Sequence, residues 1–285
     1  MPLHTITSEI LTENENTYVK LKNGNAISKF VFKCPSYMLK SELNKCNLKY
    51  DDDDDLDVER QKEETLLIEH RMSTELRHVG LQIWRGALLL ADYILSNPNL
   101  FRDKTVLELG AGVGLTSIVA SFLAREVICT DVNVEDVLKL IQRNSMRNTA
   151  YTKSQFYIRE LNFLNLQWPP HIKRRLASVN IILAADVIYD ATITDGFVQT
   201  LAKLLDSEIP KIAYVALEKR YVFTIADMDT TAPMYEEFLH CISKYNLHWN
   251  VEYIKLDFRQ YFKYDRVKHM ILMKIENKLN SSAVC

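Results

Sequence analysis

The chain has 285 residues, 47% of them hydrophobic and 25% charged, with a formal net charge of −2. Such a length can bury one substantial core with a small accessory region, and the near-balanced charge gives no reason to expect a nucleic-acid or membrane partner. The five cysteines have no C-x-x-C spacing, which disfavours a disulfide framework and a zinc site alike.

Reduced thiols of an intracellular protein are the plainer reading of those cysteines. Residues 1–10 lack the basic-then-apolar pattern of a secretory signal. The strongest apolar stretch, GALLLADYIL, is far shorter than the ~20 residues a membrane span needs.

In chain order, YVKLKNGNAISKFVFK (residues 18–33) reads as two strands about a turn at Asn23 and Gly24. DDDDDLDVERQKEE (residues 51–64) carries nine acidic and two basic residues. Adjacent aspartates repel and resist burial, so this is a solvated linker or a patch that attracts a basic protein. Residues 80–95 have the apolar spacing of a helix that Asn97 and Pro98 end. From there short apolar runs alternate with helical ones: strands at 106–109, 126–130, 155–161, 179–188 and 211–217, helices at 115–124, 134–146, 192–205 and 234–245. Two further strands, 249–256 and 269–275, have no helical pattern between them, which favours an antiparallel hairpin over a parallel crossover. The sum is a doubly wound parallel sheet of five strands, extended to seven by that hairpin. Residues 1–76 form an N-terminal extension holding the β-hairpin and the acidic linker 51–64, and residues 77–278 form the α/β domain.

ELGAGVG, between the strand at 106–109 and the next helix, concentrates three of the seven glycines. Ligands of a doubly wound sheet bind at that turn, beyond the carboxyl ends of the strands. A dinucleotide fingerprint, G-x-G-x-x-G, fails in both frames, because Leu115 and Ser117 stand where glycine is required. No G-K-[ST] follows, so a P-loop is excluded as well. The pattern is E-x-G-x-G-x-G with Glu108 leading, and it suits a nucleoside ligand smaller than a dinucleotide. Asp131 ends the second strand, where a carboxylate can accept hydrogen bonds from both ribose hydroxyls or can cap the following helix.

ELGAGVGL, TDVN, RELNFL, AADVIY and ALEKR together resemble the seven-β-strand S-adenosylmethionine-dependent methyltransferases. Within them the chain resembles the family-16 protein-lysine methyltransferases, marked by Asp186-x-x-Tyr189 after the fourth strand. The likeness spans roughly residues 77–275 and implies a Rossmann-like seven-stranded sheet with S-adenosyl-L-methionine as cofactor. It implies that Gly110, Ala111 and Gly112 pass beneath the methionine and ribose portions. Glu108 would brace the loop through backbone N–H groups, and Asp131 would hold the ribose. Trp84 would line the methionine end, Phe163 would stack on adenine, Asn162 would contact it, and Ala185 would offer backbone contact near the transferred methyl. Asn162 and Phe163 depart from the aspartate and tryptophan common in relatives, at the cost of the indole donor.

The implied chemistry is direct displacement at an activated sulfonium, with no metal and no covalent nucleophile. The protein must align the amine and supply it neutral, which costs roughly 4 kcal/mol for a free lysine at neutral pH. Asp186 and Tyr189 are the catalytic candidates. They end an apolar strand where a carboxylate is otherwise costly; the alternative is a capping Asp186 and a packed Tyr189. Glu218 and Arg220 face the same cleft with open roles. The scattered histidines read as structural, and no metal is expected. The resemblance implies a non-histone protein acceptor with a lysine side chain, of a nucleic-acid-associated kind, in nucleus or cytoplasm. No direct nucleic-acid or membrane contact is expected, and the chain reads as a monomer. Methylation of RNA or a small molecule, and a non-catalytic binding module with a cofactor fold, are the rival readings.

Overall fold

The computed structural model describes residues 5–13, 18–38, 62–224 and 229–278. A short helix α1 (Ile10–Glu13) precedes strands β1 (Tyr18–Lys20), β2 (Asn25–Lys33) and β3 (Glu63–Arg71), which form an antiparallel sheet in the order β1-β2-β3. The acidic run at 51–55 lies outside the described residues, and Glu63 and Glu64 of the expected linker open β3. That strand carries no signal of its own, because its buried Glu69 and His70 suit a strand only once distant partners are in place. Glu69 accepts hydrogen bonds from Arg143 at 2.9 and 3.0 Å and from Asn25 at 2.7 Å, and pairs with Arg147 at 2.8 Å. Burial alone would raise its carboxyl; the bonds from Arg143 and Asn25 outweigh that and bring it down to about 2.

The main body alternates helices with strands: α2 (Arg85–Ser96), α3 (Pro98–Phe101), β4 (Thr105–Leu109), α4 (Leu115–Ala120), β5 (Glu126–Asp131), α5 (Val137–Arg147), β6 (Gln155–Glu160), α6 (Pro170–Ala177), β7 (Ile181–Ala185), α7 (Ala191–Leu205) and β8 (Ile212–Glu218). A small hairpin of β9 (Val222–Thr224) and β10 (Asp229–Thr231) leads to α8 (Pro233–Lys244), β11 (Trp249–Ile254) and β12 (Met270–Asn277). Seven strands make one sheet in the order β11-β12-β8-β7-β4-β5-β6. The five from β6 to β8 are parallel, while β12 runs antiparallel to both β8 and β11. This is the doubly wound sheet with a terminal hairpin that the sequence predicts.

All five residues of β4 are buried, as a strand covered on both faces requires. Val106 joins the core beneath α2 and α4, and Leu107 and Leu109 join the core beneath α7 and α8. The chain runs outward from β4 through β5 to β6, then returns to β7 on the other side of β4. That reversal opens a crevice at the carboxyl ends of β4 and β7.

The expected helix over 80–95 is interrupted. A 3₁₀ segment ends at Leu81, Gln82 and Trp84 are extended, and α2 begins at Arg85. The break lets two loops approach the crevice, as described below. Beyond β11, the connection to β12 is tied to α2 by the buried Asp92. Its carboxylate accepts from the Tyr261 and Phe262 amides at 2.7 and 3.1 Å, from the Tyr264 hydroxyl at 3.0 Å and from Arg266 at 2.8 Å. Among the described residues no helix is long and apolar enough to cross a membrane, and no cluster of His, Cys, Asp or Glu could hold a metal ion.

Candidate active site

The crevice holds a cavity open to solvent, lined by all eleven residues to which the sequence gives a catalytic or cofactor role, while Glu218 and Arg220, also singled out, line its neighbour. Its floor is the glycine turn after β4. Gly112 stands at φ +55°, in the left-handed region that costs a side-chain-bearing residue ~1–2 kcal/mol. A β-carbon there would meet the Gly80 carbonyl oxygen at 2.7 Å. The turn is therefore bare partly because the protein's own main chain rests on it, before any ligand does. At Gly110 the neighbours are Val187 and the Phe163 ring.

Asp131, at the end of β5, faces this floor. Its Oδ2 accepts the Gly112 amide at 2.6 Å and its Oδ1 the Val132 amide at 2.7 Å. Burial pushes its carboxyl up to about 6, against the pull of those two amides. Each oxygen retains a lone pair for a donor in the cavity.

Glu108 is 1% exposed, and burial raises it to about 7 although Ser117 donates to it through its hydroxyl and main-chain amide. It thus ties the first turn of α4 to β4. Phe163 presents its ring to the cavity and packs on Phe197 with centroids 5.6 Å apart. Asn162 lines the wall beside it, and its Oδ1 accepts the Leu164 amide at 2.9 Å.

A second cavity adjoins the first and shares Val79, Trp84, Asp186 and Tyr189 with it. Apolar and aromatic residues (Ile6, Ile188, Met234, Tyr235) form much of its wall, and Glu218, Lys219 and Arg220 line it too. The Trp84 indole is fixed between the two by its Nε1–H, which donates to the Val79 carbonyl at 2.9 Å. The Arg220 guanidinium lies 5.2 Å from the Trp84 ring centre. Arg85 reaches Glu218 at 2.9 Å.

Asp186 follows the last residue of β7 with φ +52°, a strained conformation of the kind that clusters at functional sites. Its Oδ2 accepts the Gly86 amide at 2.6 Å and its Oδ1 the Glu218 amide at 3.1 Å. The carboxylate therefore caps the first turn of α2 and clamps the end of β8. The helix that follows it in sequence, α7, is capped by Asp190 instead, through the Ile193 amide at 3.0 Å. Gly86 leaves room for this: a β-carbon there would sit 2.5 Å from Oδ2. Burial raises the Asp186 carboxyl to about 6, so it is ionised at neutral pH. Burial, with the charges of Asp131 and Asp190, pushes Tyr189 up to about 12, so its phenol stays protonated. The loop at Val79 and Gly80, Gly86, Ile6 and Tyr235 were not singled out in the sequence. Only the glycines offered a signal there, since each stands where another segment crosses at contact distance.

The sequence model of a family described as lysine methyltransferase matches residues 60–243. The chain belongs to this family. Methyltransferase-like protein 22 of Homo sapiens is 36% identical over 264 residues, covering 85% of this chain and 65% of that protein. The Mus musculus protein of the same name is 36% identical over 265 residues, covering 85% and 67%. The protein-lysine N-methyltransferase EEF2KMT of Mus musculus is 28% identical over 207 residues, covering 69% and 58%. This member of the lysine methyltransferase family thus spans about two thirds of the length of the human relative.

Proposed function

We propose that this chain is an S-adenosylmethionine-dependent protein-lysine N-methyltransferase, with its cofactor in the first cavity and the acceptor lysine in the second. The observation that carries the reading is the junction of the two cavities at Trp84, Asp186 and Tyr189. The residues fit the cofactor: a glycine cradle without side chains, a carboxylate with lone pairs free for ribose hydroxyls, and an aromatic ring for a purine. When bound, the cofactor supplies a methyl group already activated on a sulfonium sulfur, which leaves as a thioether.

Asp131 would accept from the ribose hydroxyls, and Asn162 and Phe163 would hold the base. Trp84, Ile188 and Met234 shield the aliphatic stem of the incoming lysine from water. Asp186 is ionised, and with its two oxygens anchored on backbone amides it presents a fixed negative charge that orients the amine toward the first cavity. Its carboxyl near 6 is too acidic to hold the proton of an ammonium whose ordinary value is near 10.4. The departing proton therefore passes to solvent, and Asp186 contributes by orientation and charge. Tyr189, a phenol at neutral pH, can donate or accept a hydrogen bond at the nitrogen but cannot act as its base.

The test is transfer of tritiated methyl from S-adenosylmethionine into cell-extract protein, with hydrolysis to identify the labelled side chain, alongside calorimetric titration of the cofactor. Methyllysine is expected. Asp186→Ala should lower transfer by about 100-fold or more while the cofactor still binds. Normal turnover in that variant would remove the assignment of Asp186, label in RNA would remove the acceptor class, and no cofactor binding at hundreds of micromolar would leave only a binding module.

A further inference from the structure

Residues 5–13 lie outside the stretch 60–243 that matches the family, yet they reach the second cavity. Three ties hold this segment against the α/β body. The Ile6 amide donates to the Thr74 carbonyl at 2.7 Å and the Thr74 amide donates back at 3.0 Å. Gln82, 2% exposed, donates through Nε2 to the Ile6 carbonyl at 2.9 Å and accepts the Ser8 amide at 2.8 Å, while the Ser8 hydroxyl donates to the Ile83 carbonyl. Ile10 and Leu11 are buried beyond it.

The third tie bears on the cavity itself. Arg220 donates to Glu9 from Nη1 at 2.8 Å and from Nη2 at 3.4 Å, and the same guanidinium faces Trp84. Burial works to raise the Glu9 carboxyl, but the hydrogen bonds and charge of Arg220 outweigh it and hold it below its ordinary value. Ile6 lines the cavity together with Leu76, Val79 and Trp84.

We propose that this N-terminal segment is a wall of the acceptor site, in which Ile6 contacts the acceptor's lysine stem and Glu9 is a positioning residue that holds Arg220 against Trp84. The inference rests on reading the second cavity as the acceptor site. Reversing the charge of Glu9 sets two guanidiniums side by side, so the segment swings away and the cavity loses one side. Truncating Ile6 thins the same wall without touching its main-chain bonds to Thr74. Neither change reaches the glycine turn or Asp131.

The full chain tests this with tritiated S-adenosylmethionine at saturation and a dilution series of extract protein as acceptor, with S-adenosylhomocysteine affinity measured by calorimetry. Glu9→Arg and Ile6→Ala should each raise the acceptor concentration for half-maximal rate about three- to tenfold, with a nearly unchanged limiting rate. S-adenosylhomocysteine should bind each variant as tightly as wild type. Glu9→Asp, which keeps a carboxylate for Arg220, should stay closer to the wild-type acceptor dependence than Glu9→Arg does. Should Glu9→Arg fail to fold, Ile6→Ala carries the test. Unchanged acceptor dependence in Ile6→Ala, or an equal loss of S-adenosylhomocysteine affinity, overturns the inference while leaving the proposed function standing. A wild-type chain that binds S-adenosylhomocysteine but labels no protein overturns the acceptor reading, and this inference with it.

Discussion

Replacing Gly112 with alanine tests the glycine turn most directly. The residue sits at φ +55°, which costs an alanine ~1–2 kcal/mol from conformation alone. The new β-carbon would also lie 2.7 Å from the Gly80 carbonyl oxygen, and a main-chain atom cannot rotate aside as a side chain could. One of two things must then give. If Gly80 retreats, it draws with it the Val79 carbonyl that anchors Trp84 at 2.9 Å. If Gly112 retreats, its 2.6 Å bond to Asp131 breaks. Either way the first cavity is deformed. The melting temperature of Gly112→Ala should fall by roughly 2–8 °C, at about 2–4 °C per kcal/mol for a chain of this size. Affinity for S-adenosylhomocysteine should fall at least about tenfold, or 1.4 kcal/mol. Thermal denaturation and calorimetric titration read the two numbers. A variant that melts and binds like the wild type would refute the reasoning, because it would mean that the two main chains do not meet at Gly112.

Cofactor affinity should depend on pH through Asp131. Its carboxyl is raised to about 6, so below that pH it gains a proton and loses acceptor capacity; affinity should fall by up to about tenfold per pH unit toward pH 4 and be flat above about 7. For folding the sign is opposite: a carboxyl raised above its ordinary value favours the native state most at low pH, and that contribution fades as pH rises through about 6. Titrations from pH 5 to 8 in wild type and Asp131→Asn test the assignment, and a profile that persists in the variant would move it to another group. At the other cavity, Gly86→Ala would place a β-carbon 2.5 Å from Asp186 Oδ2. Methyl transfer should drop about tenfold or more, of the order of losing a positioned catalytic group. The melting temperature should change little, since alanine suits a helix better than glycine by ~1 kcal/mol. Full activity in Gly86→Ala would show that the carboxylate is free to move.

The central sheet was legible because β4, β7 and β8 are short, almost wholly buried apolar runs, with the more polar β6 recognised by its place after a helical segment. β4 and β7 are covered on both faces, and nothing about them depends on distant partners. The cavity floor was legible for the same reason, since a glycine turn and the Asp131 that faces it are local patterns placed by strand order. β3 was not, because Glu69 is buried only with help from α5, some 75 positions away, and His70 only with Ser28 of β2 beside it. α6 and the β9–β10 hairpin are too short for periodicity to stand out. The role of Asp186 was half visible: its place at a strand end follows from sequence, but its bonds to Gly86 and Glu218 join segments 100 and 32 residues away.

The strand order carries one consequence for how the chain is made. Among the described residues β12 is the last strand in sequence, but it lies between β8 and β11 and bonds to both. A nascent chain leaving the ribosome therefore holds β8 as a raw edge, and β11 without a neighbour, until residue 277 has emerged. The sheet cannot close vectorially from one end to the other. β11 pairs with no strand but β12, so the two can meet first as a hairpin and then dock on the β8 edge, which stays bare while residues 219–277 are made.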